Sequence, residues 1–299
     1  AVERSMENVA RLEMYDLEKN LSVMSVISRA APIFGFVGTL AGLMQLFFDI
    51  NTTGEFVLNT IAGGLYVKLV TSITGLVIGL LLVFRTNTAY ERWWEGRKQL
   101  GSLLNTARNL AMKYKAYINR EDDVIYTLLE AFPWTLKENL RLKDYSSVAE
   151  HIPADMIAAF NKAAHKHNFV LAELSNITNQ LMLKNKITAE QFLILENKIS
   201  ELTDILGACE RIKNTPIPFG YAIHLKRILL IYLLSLPFAF IESIGWWSIP
   251  VAMIVFYTMI GIELIAEEIE DPFGTDVNDL PVDELEDKIR LNVEEIKEG

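Results

Sequence analysis

The sequence predicts an all-α, polytopic membrane protein with four transmembrane helices and a helical cytoplasmic domain between the second and the third. Three observations carry that prediction. Of 299 residues, 51% are hydrophobic, and the mean hydropathy is +0.23, high for a soluble domain. The apolar residues gather in four blocks, 23–48, 60–84, 228–241 and 246–266. Lysine and arginine flank those blocks on one side and are absent from the two short connections on the other.

Taken in order, the first block, VMSVISRAAPIFGFVGTLAGLMQLFF, carries Arg29 near its start and spans from a shifted or tilted start. Its Gly38 and Gly42 form a GxxxG pair, a weak signal for close helix packing. The connection DINTTGEFVLN at 49–59 has no basic residue and is placed outside. The second block is long enough to span outright, with Lys68 snorkelling toward the outer interface. It then enters FRTNTAYERWWEGRK without a proline or turn signal, so one helix is expected to leave the membrane unbroken. Residues 85–227 are polar and rich in helix formers and read as the cytoplasmic domain. The third block is short and spans in the same way as the first. ESIGWW at 242–247 returns to the outer side, where Trp246 and Trp247 sit at the interface, with Trp93 and Trp94 at the inner one. The fourth block spans outright, and the chain ends in an acidic segment from 263 onward.

Along the second span Leu76, Leu80 and Phe84 are four apart and share one face, beside a stripe made by Gly75 and Gly79. Spacing alone favours the ordinary reading, that this face meets lipid or another span. A ring of identical helices packing through glycine would instead point leucine and phenylalanine at its axis, making an apolar constriction that gates by dewetting. Thr39, Thr71, Ser72 and Thr74 are hydroxyls at membrane depth, which ordinarily bond back to their own helix or to a neighbour.

Several function classes are excluded. The net charge of −10 argues against nucleic acid. The one cysteine, Cys209, rules out an internal disulfide and reads as a buried, inert thiol. His165 and His167 are two apart, on different sides of a helix, and read as solvent-exposed rather than as metal ligands. There is no phosphate-cradling glycine loop, nucleophile elbow, EF-hand pattern or catalytic carboxylate pair, so the chain is read as no enzyme. Arg92, Arg97 and Arg108, with Glu91 and Glu95, line a helix at ion-pairing spacings, suited to a subunit interface more than to coordinating a permeant ion. The chain opens at Ala1 with no secretory signal, as a processed or truncated chain would.

FRTNTAYERWWEGRK, GSLLNTARNLA at 101–111, TPIPFGYAIHLKR at 215–227, LPFAF, GWWSIPV and IEDPFG together resemble the bestrophin family of ion channels. The resemblance implies a homopentamer in a bacterial inner membrane, and the basic flanks of the spans place both termini in the cytoplasm. It implies a passive channel for chloride or other monovalent ions, with a pore neck at Leu76, Leu80 and Phe84 and a cytosolic aperture at Ile217. It also implies that Asp276 and Asp279, after PFG, correspond to calcium-holding carboxylates of some bestrophins, although Thr275 and Val277 as neighbours depart from a full ligand set.

Residues 17–50 with 61–80, strongest in APIFGFVGTLAGL, resemble the last two spans of the TolQ, ExbB and MotA proton-channel family. That resemblance implies proton-linked roles for Thr39, Thr71 and Ser72, and work on a partner with a single span. The acidic residue common in that family falls on Val67, which weakens proton conduction. The two resemblances meet between Val77 and Phe84, and a natural fusion and an artificial join both stay open. The expected organisation is a TolQ/ExbB-like hairpin over 1–80, the neck exit and cytoplasmic helical domain over 81–227, spans three and four over 228–270, and an acidic cytoplasmic segment over 271–299. A proton-motive-force stator and a non-conducting membrane assembly are the alternatives to the channel.

Overall fold

The computed structural model describes residues 58–118, 123–141, 144–146 and 148–298, with side chains throughout except at 58–69 and 242–244. The first expected span, 23–48, lies outside the described residues. Every described element is helical: α1 (Leu58–Ile118), α2 (Asp123–Leu140), α3 (Ile157–Lys162), α4 (Lys166–Leu183), α5 (Ala189–Asn214), α6 (Phe219–Ile244), α7 (Ser248–Glu270) and α8 (Val282–Glu298), with 3₁₀ turns at Val148–His151 and Gly245–Trp247. α1 contains no proline, and nothing interrupts its backbone ladder for 61 residues.

The chain divides into two units. One comprises residues 1–87 and 218–266, the other 88–217 and 267–299. Among the described residues three helices are long and apolar enough to cross a membrane, Val70–Ile118, Phe219–Ile241 and Gly245–Glu270. The first unit packs Ile78 and Leu82 of α1 with Leu225, Leu229, Leu233 and Leu236 of α6 and Ala252 of α7. Those α6 positions recur at helical spacing, so one face is inside, while Ile231, Leu234 and Phe238 stay exposed as lipid-facing residues do. α6 ends at Gly245, whose φ of 56° only glycine adopts without strain, and this permits the tight return into α7. The hydroxyl of Thr74 bonds back to the Val70 carbonyl at 2.8 Å, as expected of a hydroxyl in a span.

The second unit is a helical domain around Leu110, Tyr114, Leu128, Phe132, Phe160, Leu174 and Leu202, all nearly or wholly buried. α5 begins with a capping box: Thr188 accepts from the Gln191 N–H and Gln191 accepts from the Thr188 N–H. α8 docks on α2 through charge. Lys137 reaches Glu286 at 2.6 Å and Asp283 at 3.3 Å, and Arg141 reaches Asp283 at 2.7 Å and the Phe273 carbonyl at 2.9 Å. Phe273 and Leu280 close over Gly96, where a Cβ would meet them at 3.1–3.3 Å. That close approach explains a glycine in the middle of α1.

Candidate ion-conduction site

Two residues along a helix are about 200° around it, so Leu80 and Phe84 lie opposite the buried Ile78 and Leu82. The structure leaves Leu80 43% and Phe84 56% exposed, with Ile73 and Val77 beside them, while Leu76 is half-buried. An apolar row therefore faces away from the packing face of α1. A Cβ at Gly75 would collide with the Tyr232 hydroxyl of the chain's own α6, whereas Gly79 has nothing within 4 Å. The missing side chain at Gly75 thus makes room for a tyrosine from an adjacent helix of the same chain.

Directly after Phe84 the helix turns Arg85 inward, where it is 2% exposed against Glu263 of α7, itself 3% exposed. Arg85 Nε donates to both carboxylate oxygens, at 3.0 and 3.1 Å. A lone glutamate late in the apolar run of α7 was the available clue, since a carboxylate at that depth needs a cation.

Ile217 lies in TPIP, between α5 and α6, and is half-buried. Pro216 and Pro218 have no N–H, so the last carbonyls of α5 lose the donors a continuing helix would supply. Arg92 supplies them instead. One guanidinium nitrogen donates to the Ile212 carbonyl at 2.5 Å, another to the Thr215 carbonyl, and Nε donates to the Glu270 carbonyl at 3.0 Å. The Ile217 N–H donates to Glu270 Oε1 at 2.8 Å, and Lys213 pairs with Asp271 at 2.6 Å. Arg92 sits at ion-pairing spacing on its own helix, and in the structure it bonds three carbonyls, one of them, that of Ile212, orphaned by Pro216. Glu95 does pair along the helix, with Lys98 at 2.5 Å.

Asp276 is exposed and Asp279 half-buried, in one turn where Asp279 Oδ2 accepts the Asp276 N–H at 2.7 Å. Burial raises the Asp279 pKa above the ordinary carboxylate value, the Asp276 N–H opposes this, and the charges of Asp276 and Asp271 add to it. Calcium takes six to eight oxygens. Among the described residues no three His, Cys, Asp or Glu side chains are grouped to hold a metal; Asp279 Oδ2 is engaged by the Asp276 N–H, whereas its Oδ1 is buried with no hydrogen-bond partner, so the two carboxylates by themselves supply only part of a calcium shell.

Of the polar positions expected in the spans, Thr39 lies outside the described residues, Thr71 is half-buried and Ser72 exposed on α1. His165 is exposed as expected, but His167 is only 3% exposed and approaches Glu210 at 3.4 Å. Being two residues apart put them on different sides of α4, and the domain core takes one side. Burial depresses the His167 pKa below its usual value, with Glu210 opposing. Trp93, expected at the lipid interface, packs against the domain core and donates its indole N–H to the Asn278 carbonyl at 3.0 Å. Cys209 is fully buried.

The sequence model of the family described as "Bacterial/Fungal Bestrophin protein" matches residues 24–295. The chain is 38% identical over 232 residues to a voltage-dependent anion channel-forming protein of Nostoc sp., covering 75% of this chain and 76% of the relative. It is 36% identical over 234 residues to the one from Synechocystis sp., covering 75% and 76%. A mutant of a bacterial bestrophin homolog from Klebsiella pneumoniae is similar in structure, with a TM-score of 0.73 at 30% identity over 77% of this chain and 87% of that one.

The family match runs through 24–80, the stretch that resembles TolQ, ExbB and MotA. One family thus covers both sides of Val77–Phe84, and the hybrid reading is corrected. Small residues at helical spacing recur wherever spans pack closely, so a short motif such as APIFGFVGTLAGL is a weak discriminator between membrane families. The stator reading, its single-span partner and the proton-linked roles of Thr39, Thr71 and Ser72 rest on that resemblance. With an unbroken α1, a packed apolar membrane unit and this match over most of its length, the chain belongs to the bacterial and fungal bestrophin family, a family of channel-forming membrane proteins rather than enzymes.

Proposed function

We propose that the chain is one subunit of a homopentameric anion channel in a bacterial inner membrane, conducting passively through an apolar neck at Leu76, Leu80 and Phe84 and an aperture at Ile217. Each subunit crosses four times, the first over 23–48, with both termini in the cytoplasm. The observation that carries the reading is the apolar row on α1. Leu80 and Phe84 are exposed on the side opposite the packing face, immediately before the helix becomes charged. Such residues are stable facing lipid or copies of themselves around an axis, and an axial ring of them wets and dewets. The related proteins are named as forming voltage-dependent anion channels, which supports the anion.

Reconstitution into planar bilayers under a potassium chloride gradient tests the reading. An anion channel reverses near the chloride equilibrium potential. Replacing Leu80 and Phe84 together by alanine raises or deregulates the current. Unchanged current in that double variant refutes the neck, and a reversal near the potassium potential refutes the anion.

A further inference from the structure

The TPIP turn contains one backbone N–H among residues 216–218, because two of the three are proline. That N–H, from Ile217, is taken by Glu270 Oε1 at 2.8 Å. The carbonyl of Ile212 would bond the N–H of residue 216 in a continuing helix, but Pro216 has none; Arg92 donates to it at 2.5 Å, and also to the Thr215 carbonyl. The same guanidinium donates to the carbonyl of Glu270, the residue whose side chain holds Ile217. The contacts close a loop: Arg92 to α5, Arg92 to the end of α7, Glu270 to Ile217.

Two further features argue that hydrogen bonds rather than packing fix this turn. A cleft of about 260 Å³ opens beside it, lined by Glu91, Arg92, Glu95, Arg211 and Thr215 among others. Neighbouring Thr215, Pro216 and Pro218 are exposed, so few side chains brace the segment. A planar guanidinium with five donors serves three carbonyls at once, which a lysine ammonium at the end of a flexible stem does less well. The C-terminal ends of two helices also carry partial negative charge that a cation offsets.

We propose that Arg92 and Glu270 are positioning residues for the aperture: together they fix the backbone of Thr215–Ile217, and thereby the radius at which Ile217 meets the permeating ion. This deepens the reading of Ile217 as the aperture and rests on it. A looser turn lets Ile217 retreat, so the ring discriminates less between small and large ions. The sieving ratio should then change while the neck is untouched.

The test is the relative permeability of a small and a large ion of the sign the channel passes, chloride against methanesulfonate or potassium against Tris, read as a bi-ionic reversal potential of the full chain in bilayers. Arg92→Ala and Glu270→Ala should each reduce the ratio by about threefold, a shift of about 28 mV at 59 mV per tenfold for a single charge. Arg92→Lys should not restore it, whereas Glu270→Gln, which keeps an acceptor for the Ile217 N–H, should stay within about 5 mV of the parent. Elution volume and melting temperature in detergent identify variants that assemble; if Arg92→Ala does not, Glu270→Ala, which removes one acceptor at the turn, decides. Ile217→Ala is the reference. If it shifts the reversal potential and the assembled Arg92 or Glu270 variants do not, the positioning role is overturned and the aperture stands. If Ile217→Ala itself leaves the ratio unchanged, the aperture reading fails and the positioning role falls with it.

Discussion

Removing the Glu263 carboxylate should be among the most damaging single changes in the membrane unit. Arg85 and Glu263 are 2% and 3% exposed and their charged atoms stand 3.0 Å apart. At an effective dielectric near 20 their attraction is on the order of 5 kcal/mol, and it offsets the cost of taking both groups out of water. Glu263→Ala leaves the guanidinium buried without that counter-charge. The expected loss is about 3–5 kcal/mol, against roughly 0–1 for an exposed pair. Replacing both groups, Arg85→Met with Glu263→Leu, removes the charges along with their desolvation and should recover most of the loss. The assay is a double-mutant cycle on unfolding in mixed detergent micelles, followed by intrinsic tryptophan fluorescence. A 3 kcal/mol loss lowers the folded-to-unfolded ratio by about two orders of magnitude, well outside measurement error. A Glu263→Ala protein within about 1 kcal/mol of the parent, or a double variant no better than the single one, would refute a buried and coupled pair.

Other consequences are smaller but equally measurable. Burial, with Glu294 adding, raises the Glu130 pKa to about 7 from an ordinary 4.5. Between those values the folded state binds a proton that the unfolded state releases, so stability falls as pH rises through this range. Glu130→Gln should therefore raise the melting temperature at about pH 8 and leave it unchanged near pH 4; an equal effect at both would refute the shift. Burial pushes the Cys209 thiol up to about 12, with the Glu210 and Glu95 charges adding, so iodoacetamide should leave the folded protein unlabelled and label it readily once unfolded. Thr188→Ala removes the capping box of α5 and should cost about 1 kcal/mol, read as a lowered melting temperature. Gly75→Ala should destabilise by driving a methyl into the Tyr232 hydroxyl, and Tyr232→Phe should relieve part of that loss, a rescue that an uncrowded site would not show.

The sequence by itself determined where α1, α6 and α7 lie, because desolvating a helix in lipid demands about 20 apolar residues and such runs are visible as runs. It determined that α1 continues past Phe84, since no residue there breaks a helix. It also placed Leu76, Leu80 and Phe84 on one line, a matter of helical period alone. What each face meets was decided by the tertiary structure. Period could not say that Gly75 makes room for the chain's own Tyr232, that His167 rather than His165 turns into the core, or that the Trp93 indole meets the Asn278 carbonyl. Arg92 shows the division most clearly. Pro216 announces an orphan carbonyl on Ile212 at the end of α5, but the donor that satisfies it comes from a helix more than a hundred residues earlier. Local rules reveal that a partner is needed, and only the fold brings one within hydrogen-bonding distance.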